Sequence, residues 1–140
     1  YHDRNDNGVI NSGEEGIAGV EIRLLQGGSI VATTTTDANG HYSFTNLVPG
    51  TYTVVEVQPS GWNDGKDTVG VGATGAPGTA GNDVISNVTL AGGDAATQYN
   101  FGELRPPVAA SIPTLSEWAL IVLSMLLGLM AWREAGVRRR

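Results

Sequence analysis

Within its first fifteen residues the chain spaces oxygen-bearing side chains as a divalent cation would require. The run DRNDNGVINSGEE places Asp3, Asn5, Asn7, Gly8 and Glu14 on every fixed position of the calcium-loop pattern D-x-[DN]-x-[DN]-G-x5-E. Such a loop draws its ligands from its first, third, fifth, seventh, ninth and twelfth positions. Here these are Asp3, Asn5, Asn7, the Val9 carbonyl, Asn11 and Glu14, which would close on Ca2+ at ~2.3–2.6 Å. Asn at the third and fifth positions lowers the ligand charge, so the expected affinity lies on the weak, extracellular side of the scale, near ~10⁻⁴ M. A solvated, Asx-rich turn that binds nothing would have the same composition.

Other chemistries have less to work with. The chain has no cysteine and two histidines, His2 and His41, so thiolate zinc sites and cysteine nucleophiles are excluded and an imidazole-rich metal site is not expected. Neither histidine stands in a recognisable catalytic-triad context. Glu14, Glu15, Asp64 and Asp67 could be paired as glycosidase carboxylates, but a body of about 100 residues offers little concave surface, and turns already account for these acids. Through Arg105 there are twelve acids and four bases; beyond it there are two acids and four arginines. An acidic body repels phosphates, so no nucleic-acid partner is expected, whereas cations suit it. The expectation is a non-enzymatic chain. Tyr1 in place of an initiator methionine reads as an excerpt or a processed product.

A loop of this kind normally sits between two helices, yet the residues after it read as β-structure. Short runs with period-2 alternation or β-branched enrichment occur at 19–26, 29–36, 40–44, 51–58, 67–71, 84–90 and 97–101. Turn signals separate them: Gly27-Gly28, Ala38-Asn39-Gly40 and Pro49-Gly50. Seven short strands at this spacing predict an all-β sandwich. Tyr42 and Phe44 share one strand face; Tyr52 and Val54 share another, in phase with Glu56. These aromatics are expected in the core. The stretch 70–81, GVGATGAPGTAG, reads as a flexible connection; without a following helix or a Lys-Ser/Thr pair it is no phosphate loop.

Beyond residue 104 the character changes. Residues 105–113, RPPVAASIP, form an extended linker whose prolines postpone any helix until after Pro113. Trp118–Trp132 follow as fifteen residues in which Ser124 is the one polar side chain. As a helix they would extend ~22 Å, short of the ~30 Å hydrocarbon core of a bilayer. Length alone would suit a buried helix. The bracketing tryptophans, the lack of a polar face and the terminal arginines favour a single transmembrane helix over about 117–132, with a cytoplasmic tail at 133–140 and the body outside.

Residues 1–104 resemble the SdrD B-like and Cna protein B-type repeats of bacterial surface adhesins. The resemblance is carried by DRNDNGVINSGEEGIAGVEIRL, by Asp37-x-x-Gly40-x-Tyr42-x-Phe44-x-x-Leu47-x-x-Gly50-x-Tyr52-x-Val54, and by NDVISNVTLAGGDAATQYNFGEL. It implies a prealbumin-like, Ig-like seven-stranded β-sandwich with a calcium loop at its edge, serving as a stalk or spacer. Because the resembled repeats can hold several ions, it also implies candidates for a second cation site, near Asn63, Asp64 and Asp67 or around Asp37, against the plainer reading of these residues as solvated turns. Many Cna B-type relatives carry a Lys–Asn isopeptide bond from a first-strand lysine. The one lysine here, Lys66, lies far from Val20, Glu21 and Ile22 in sequence, so no such bond is expected with Asn100 and calcium would be the main stiffener.

Residues 112–140 resemble the IPTL-CTERM sorting signal of Gram-negative bacteria, similar in plan to PEP-CTERM. Ile112, Pro113, Thr114, Leu115 and Trp118 carry the motif, with Ala119 where members usually have glycine. The resemblance implies an exosortase-type membrane protease as partner, with the tail in the inner membrane until it is cut; a plain uncut anchor would look similar. The expected function is a calcium-stiffened spacer module of an exported bacterial cell-envelope protein. The alternative is an adhesin module binding an extracellular or host polysaccharide or protein, with Trp62 and the glycine-rich loop in the contact.

Overall fold

The computed structural model describes residues 1–107, residue 120 and residues 122–127. The chain divides into two compact units, Tyr1–Pro106 and Pro107–Arg140. In the second, residue 120 and residues 122–127 are helical with exposed side chains. Among the described residues, no helix is long and apolar enough to cross a membrane. Apart from these few positions, the expected membrane helix at 117–132 lies outside the described residues, as do Ile112, Pro113, Thr114, Leu115, Trp118 and the arginine-rich tail.

The first unit is a β-sandwich. Its strands are β1 (Glu21–Gln26), β2 (Ser29–Thr35), β3 (Gly50–Glu56), β4 (Asn63–Asp64), β5 (Thr79–Gly81), β6 (Val84–Leu90) and β7 (Glu103–Leu104). Five of them form an antiparallel sheet in the order β2-β1-β3-β6-β5, and β4 pairs with β7 in the second layer. That short pair continues irregularly through antiparallel bridges at Thr68–Asn100 and Val71–Thr97.

Period-2 alternation explains which face is buried. Ile22 and Leu24 of β1 and Tyr52 and Val54 of β3 point inward, and Tyr99 and Phe101 close over them from the second layer. On β6 the inward residues are Ile85 and Val88, three apart because the register with β3 shifts between Tyr52 and Val54. Asn87 takes a left-handed φ of 59° at that bulge. Glu56 holds the next inward position of β3 after Val54 and is buried, at 6% exposure. The buried core thus falls within residues 20–101, so the unit Tyr1–Pro106 carries its own interior.

Three expectations change. Residues 40–44 alternate as a strand would, with Tyr42 and Phe44 packed against the core, but they lie outside the seven strands; the Tyr42 hydroxyl instead donates to the Tyr99 carbonyl at 2.8 Å. Residues 67–71 and 97–101 pair only through isolated bridges. The segment 70–81 is not simply a flexible connection: it supplies β5, the sheet's edge strand, and Ala76 bridges to Thr89. Its glycines serve close approach, since a Cβ on Gly70 would lie 1.9 Å from the Thr97 carbonyl oxygen and 2.5 Å from the Tyr99 ring.

Candidate cation-binding sites

The loop of residues 3–14 is held at the edge of the sandwich by strand-type pairing where flanking helices would otherwise stand. His2 bridges in parallel to Glu103 of β7. The Asp3 amide donates to the Glu103 carbonyl at 2.9 Å, and the Glu103 amide donates to the Tyr1 carbonyl at 2.7 Å. The two ends of the loop meet where the His2 amide donates to the Glu15 carbonyl at 2.9 Å. Side chains tighten this closure. The Glu15 carboxylate takes the His2 Nδ1 contact at 3.0 Å and the Arg4 guanidinium at 2.5 Å, and these two partners hold its pKa down to about 2. Arg4 Nε also donates to the Gly13 carbonyl at 3.0 Å. Sequence reasoning named Glu15 only as a possible glycosidase carboxylate, because its role in clasping the loop lies outside the ligand pattern.

Inside the loop the predicted residues come together. Asp3 is fully buried, and its two carboxylate oxygens accept the amides of Asn7 at 3.1 Å and Gly8 at 2.6 Å. Burial raises its pKa, but backbone hydrogen bonds from Gly8, Asn7, Asn5 and Asp6 outweigh that and leave it below the ordinary value. The turn that brings these amides round uses left-handed backbone at Asp6 and Gly8, with φ of 52° and 75°. Glu14 reaches back from the far end, accepting the Arg4 amide at 2.9 Å and the Asn11 amide at 2.7 Å. Asn11 Oδ1 accepts the side-chain amides of Asn5 at 3.1 Å and Asn7 at 2.8 Å, and Asn7 Oδ1 accepts the Val9 amide at 2.7 Å. Hydrogen bonds thus link Asn5, Asn7 and Asn11 to one another and tie the Asp3 and Glu14 carboxylates to the loop's own backbone, with Val9 between them.

The second group of predicted residues divides. Asp37 is taken up by its own turn: its Oδ1 accepts the amides of Asn39 at 2.8 Å and His41 at 2.9 Å, and the His41 amide, then that of Asn39, hold its carboxyl below the usual value. Asn63 is an exposed residue of β4, paired with Leu104. Asp64 and Asp67, in contrast, join acids that sequence reasoning missed. Burial, then the charges of Asp83 and Asp6, push Asp64 upward. Burial, opposed by the Gly102 amide and reinforced by Asp64 and Asp83, lifts Asp67 to about 7.

Behind them, Glu56, Asp83 and Glu103 each place a carboxylate oxygen within 4.8 Å of the other two. Glu56 is on β3 and Glu103 on β7; Asp83 precedes β6 with a left-handed φ of 55°, and its carbonyl accepts the Glu56 amide at 2.9 Å. Glu103 is fully buried, and Gln58 Nε2 donates to its Oε2 at 2.5 Å. Burial, then the charge of Glu103, pushes Glu56 up to about 9, and burial likewise raises Glu103. Glu56 Oε2, Glu103 Oε1 and one oxygen each of Asp6, Asp64, Asp67 and Asp83 are buried with no donor group beside them, and the Glu56 and Glu103 carboxyls hydrogen-bond to each other through the proton that the raised Glu56 retains. The one signal available in the sequence was Glu56, a carboxylate on the inward phase of a core strand.

Comparison with known proteins adds a relationship. The family model described as the SdrD B-like domain matches residues 1–106, and the one described as the IPTL-CTERM motif matches residues 110–140. Among curated proteins, serine-aspartate repeat-containing protein F of Staphylococcus epidermidis is 36% identical over 110 residues, covering 74% of this chain and 7% of that protein. A fibrinogen-binding protein of the same organism is 45% identical over 62 residues, 44% of this chain and 6% of its own length. Serine-aspartate repeat-containing protein E of Staphylococcus aureus strain USA300 is 35% identical over 113 residues, 74% of this chain and 9% of that protein. The chain spans less than a tenth of the length of these relatives.

Proposed function

The chain belongs to the SdrD B-like domain family and carries an IPTL-CTERM motif, and on that footing we propose that it is a calcium-stiffened, non-enzymatic spacer module of an exported bacterial cell-surface protein. The observation that carries this reading is the loop of residues 3–14. The backbone amides of Asn7 and Gly8 hold the Asp3 carboxylate and those of Arg4 and Asn11 hold Glu14, so both acidic ends of the ligand set are positioned without flanking helices. A calcium ion bound there neutralises acids that otherwise repel and locks the amino-terminal segment onto β7, stiffening the edge of a small sandwich that has no disulfide.

In this reading the segment from Ile112 onward is a sorting signal: an apolar helix over about 117–132 holds the tail in the inner membrane, and an exosortase-type protease acts at Ile112-Pro113-Thr114-Leu115, leaving the body at the cell surface or released. The alternative adhesin reading, with a polysaccharide or protein ligand, has less support. Among the described residues the exposed large apolar side chains are aliphatic. Trp62 packs against the His2 ring at 5.0 Å, with the Arg105 guanidinium 5.2 Å from its ring centroid, so it does not join an aromatic platform.

Calorimetric melting of residues 1–106 tests the calcium reading: millimolar calcium should raise the transition temperature, EDTA should reverse it, and Glu14→Gln should reduce the shift. An identical melt with calcium and with EDTA would overturn it. For the tail, Pro113→Ala with Thr114→Ala in the exported protein should leave an uncut membrane precursor; equal processing of variant and wild type would remove the protease assignment.

A further inference from the structure

We propose that the sandwich accepts an extended, uncharged segment of another polypeptide as an added strand of its second layer, in the groove between residues 40–44 and 97–101. Three observations carry it. First, both walls of the groove are open backbone. Residues 40–44 alternate as a strand does, with Tyr42 and Phe44 packed on the core, but among the described residues the amides of Tyr42, Ser43 and Phe44 make no backbone hydrogen bond. The His41 carbonyl accepts the Asp37 amide at 2.8 Å, so in an extended run the backbone groups of Tyr42 and Phe44 face the other way, toward residues 97–101. On that wall Thr97 and Asn100 bridge to Val71 and Thr68. Between them Gln98 takes a left-handed φ of 62°, and the Tyr99 carbonyl turns toward the Tyr42 hydroxyl, 2.8 Å away. Among the described residues no backbone hydrogen bond crosses from one wall to the other; the Tyr42 side chain spans the interval. Second, the floor is apolar, with Leu24 of β1, Tyr52 and Val54 of β3 and Val88 of β6 at the base of a cleft of about 870 Å³. Val9 and Val69 line it while 58% and 38% exposed, apolar surface that a covering strand would remove from water. Third, the lining holds no acidic side chain, lysine or arginine, in a body with twelve acids and four bases through Arg105.

The groove selects its occupant by chemistry. Open amides and carbonyls on the walls call for a peptide backbone, the partner that an unpaired strand edge takes. A strand between these walls turns alternate side chains onto the floor, so those positions must be apolar. A charged side chain there would lose its water with no counter-charge in the lining, so the segment must also be uncharged; an acidic one would in addition be repelled by the body. Walls of about five residues suit a segment of about the same length, ~17 Å when extended. A lipid or small apolar molecule would use the floor and leave both walls unpaired. Trp62 does not line the groove, so the site is separate from the contact weighed above, and it rests on backbone edges and apolar surface, not on calcium.

The probe is a blocked peptide of alternating valine and threonine, titrated into residues 1–106 and followed by calorimetry and by amide hydrogen exchange. Binding should saturate and slow exchange at Tyr42, Phe44 and Tyr99. An analogue N-methylated at every second residue keeps the side chains and loses one edge of backbone donors; it should bind about tenfold more weakly or worse. An analogue with glutamate in place of valine should not bind. Val69→Glu and Ser43→Glu, both on exposed residues lining the groove, should melt like wild type and weaken the valine-threonine peptide about tenfold or more. The proposal is overturned if no titration saturates, if protection falls away from these walls, or if both glutamate variants bind as wild type does. Equal binding of the N-methylated analogue would overturn it as well, making the groove a cleft for apolar side chains and not a strand acceptor. Self-association of residues 1–106 in sedimentation, with the same amides protected and no peptide added, would overturn the assignment to another polypeptide in favour of a second copy.

Discussion

Asp3 and Glu14 sit at opposite ends of the same ligand pattern, but the structure gives them different work, and separating the two by substitution tests the stiffening argument. Asp3 is fully buried and accepts two backbone amides, those of Asn7 and Gly8. Asp3→Ala strands both donors. Hydrogen bonds to a charged group are worth about 1.5–3 kcal/mol each; with Asn7 itself exposed to water, the lower end applies, giving ~3 kcal/mol in total. For a body of about 100 residues that corresponds to ~12–24 °C in transition temperature, and it should appear in EDTA, with no cation present. Glu14 is half-buried and accepts from the amides of Arg4 and Asn11, both on exposed residues. Glu14→Gln keeps one acceptor and should cost ~0.5–1 kcal/mol in EDTA. Calcium adds a separate quantity. At 10 mM free ion and a dissociation constant near ~10⁻⁴ M, the loop site contributes ~2.7 kcal/mol, and both substitutions should shrink the calcium-induced shift by that amount. Melting of residues 1–106 in EDTA and in 10 mM calcium reads both quantities at once. The reasoning fails if Asp3→Ala melts like wild type in EDTA, or if Glu14→Gln keeps the full calcium shift.

Away from the cation sites, Asp94 accepts the amides of Thr74 and Ala91, both at 2.8 Å, and the Thr74 amide first, then that of Ala91, hold its carboxyl below the ordinary value of 3.8. A carboxyl lowered on folding stabilises above its unfolded pKa and loses that contribution as pH falls through the folded value. Asp94→Asn should therefore be less stable than wild type at pH 7, with the gap in urea midpoint closing below about pH 4; a gap independent of pH would contradict this. Tyr42→Phe removes the hydroxyl that donates to the Tyr99 carbonyl and should lower unfolding free energy by about 0.5–1.5 kcal/mol, read from the same urea curves. Gly70→Ala drives a methyl group into the Thr97 carbonyl and the Tyr99 ring and should cost ~1–3 kcal/mol or more; a variant as stable as wild type would mean that the 70–81 segment yields freely.

Much of this was legible because local rules and the final packing agree. β1, β2, β3 and β6 follow from alternation and turn residues, and the loop follows from fixed spacing. Residues 40–44 misled because side-chain alternation was satisfied without a backbone partner: Tyr42 and Phe44 reach the core while the Tyr42 hydroxyl supplies the tie to the second layer. β5 was hidden for the opposite reason. Glycine lowers strand propensity, yet at Gly70, near the start of the same segment, it is what lets the chain approach residues 97–99. The acidic trio was beyond local reading, since Glu56, Asp83 and Glu103 meet only once β3 has paired with β6 and β7 has folded over them. Nothing in the spacing of 56, 83 and 103 announces that meeting.

Glu103 joins the amino-terminal segment, β4 and the buried acids. Its backbone pairs on one side with the amino-terminal segment, through Tyr1 and Asp3, and on the other with Asp64 of β4, while its side chain completes the acidic trio. The parallel bridge between His2 and Glu103 has a mechanical consequence. A force drawn between the two ends of this body slides that pair along its length, so the Asp3 and Glu103 hydrogen bonds must fail together and not one after another. Calcium in the loop of residues 3–14, as proposed above, would fix Asp3 beside this bridge, where the amino-terminal segment of the body is tied to β7.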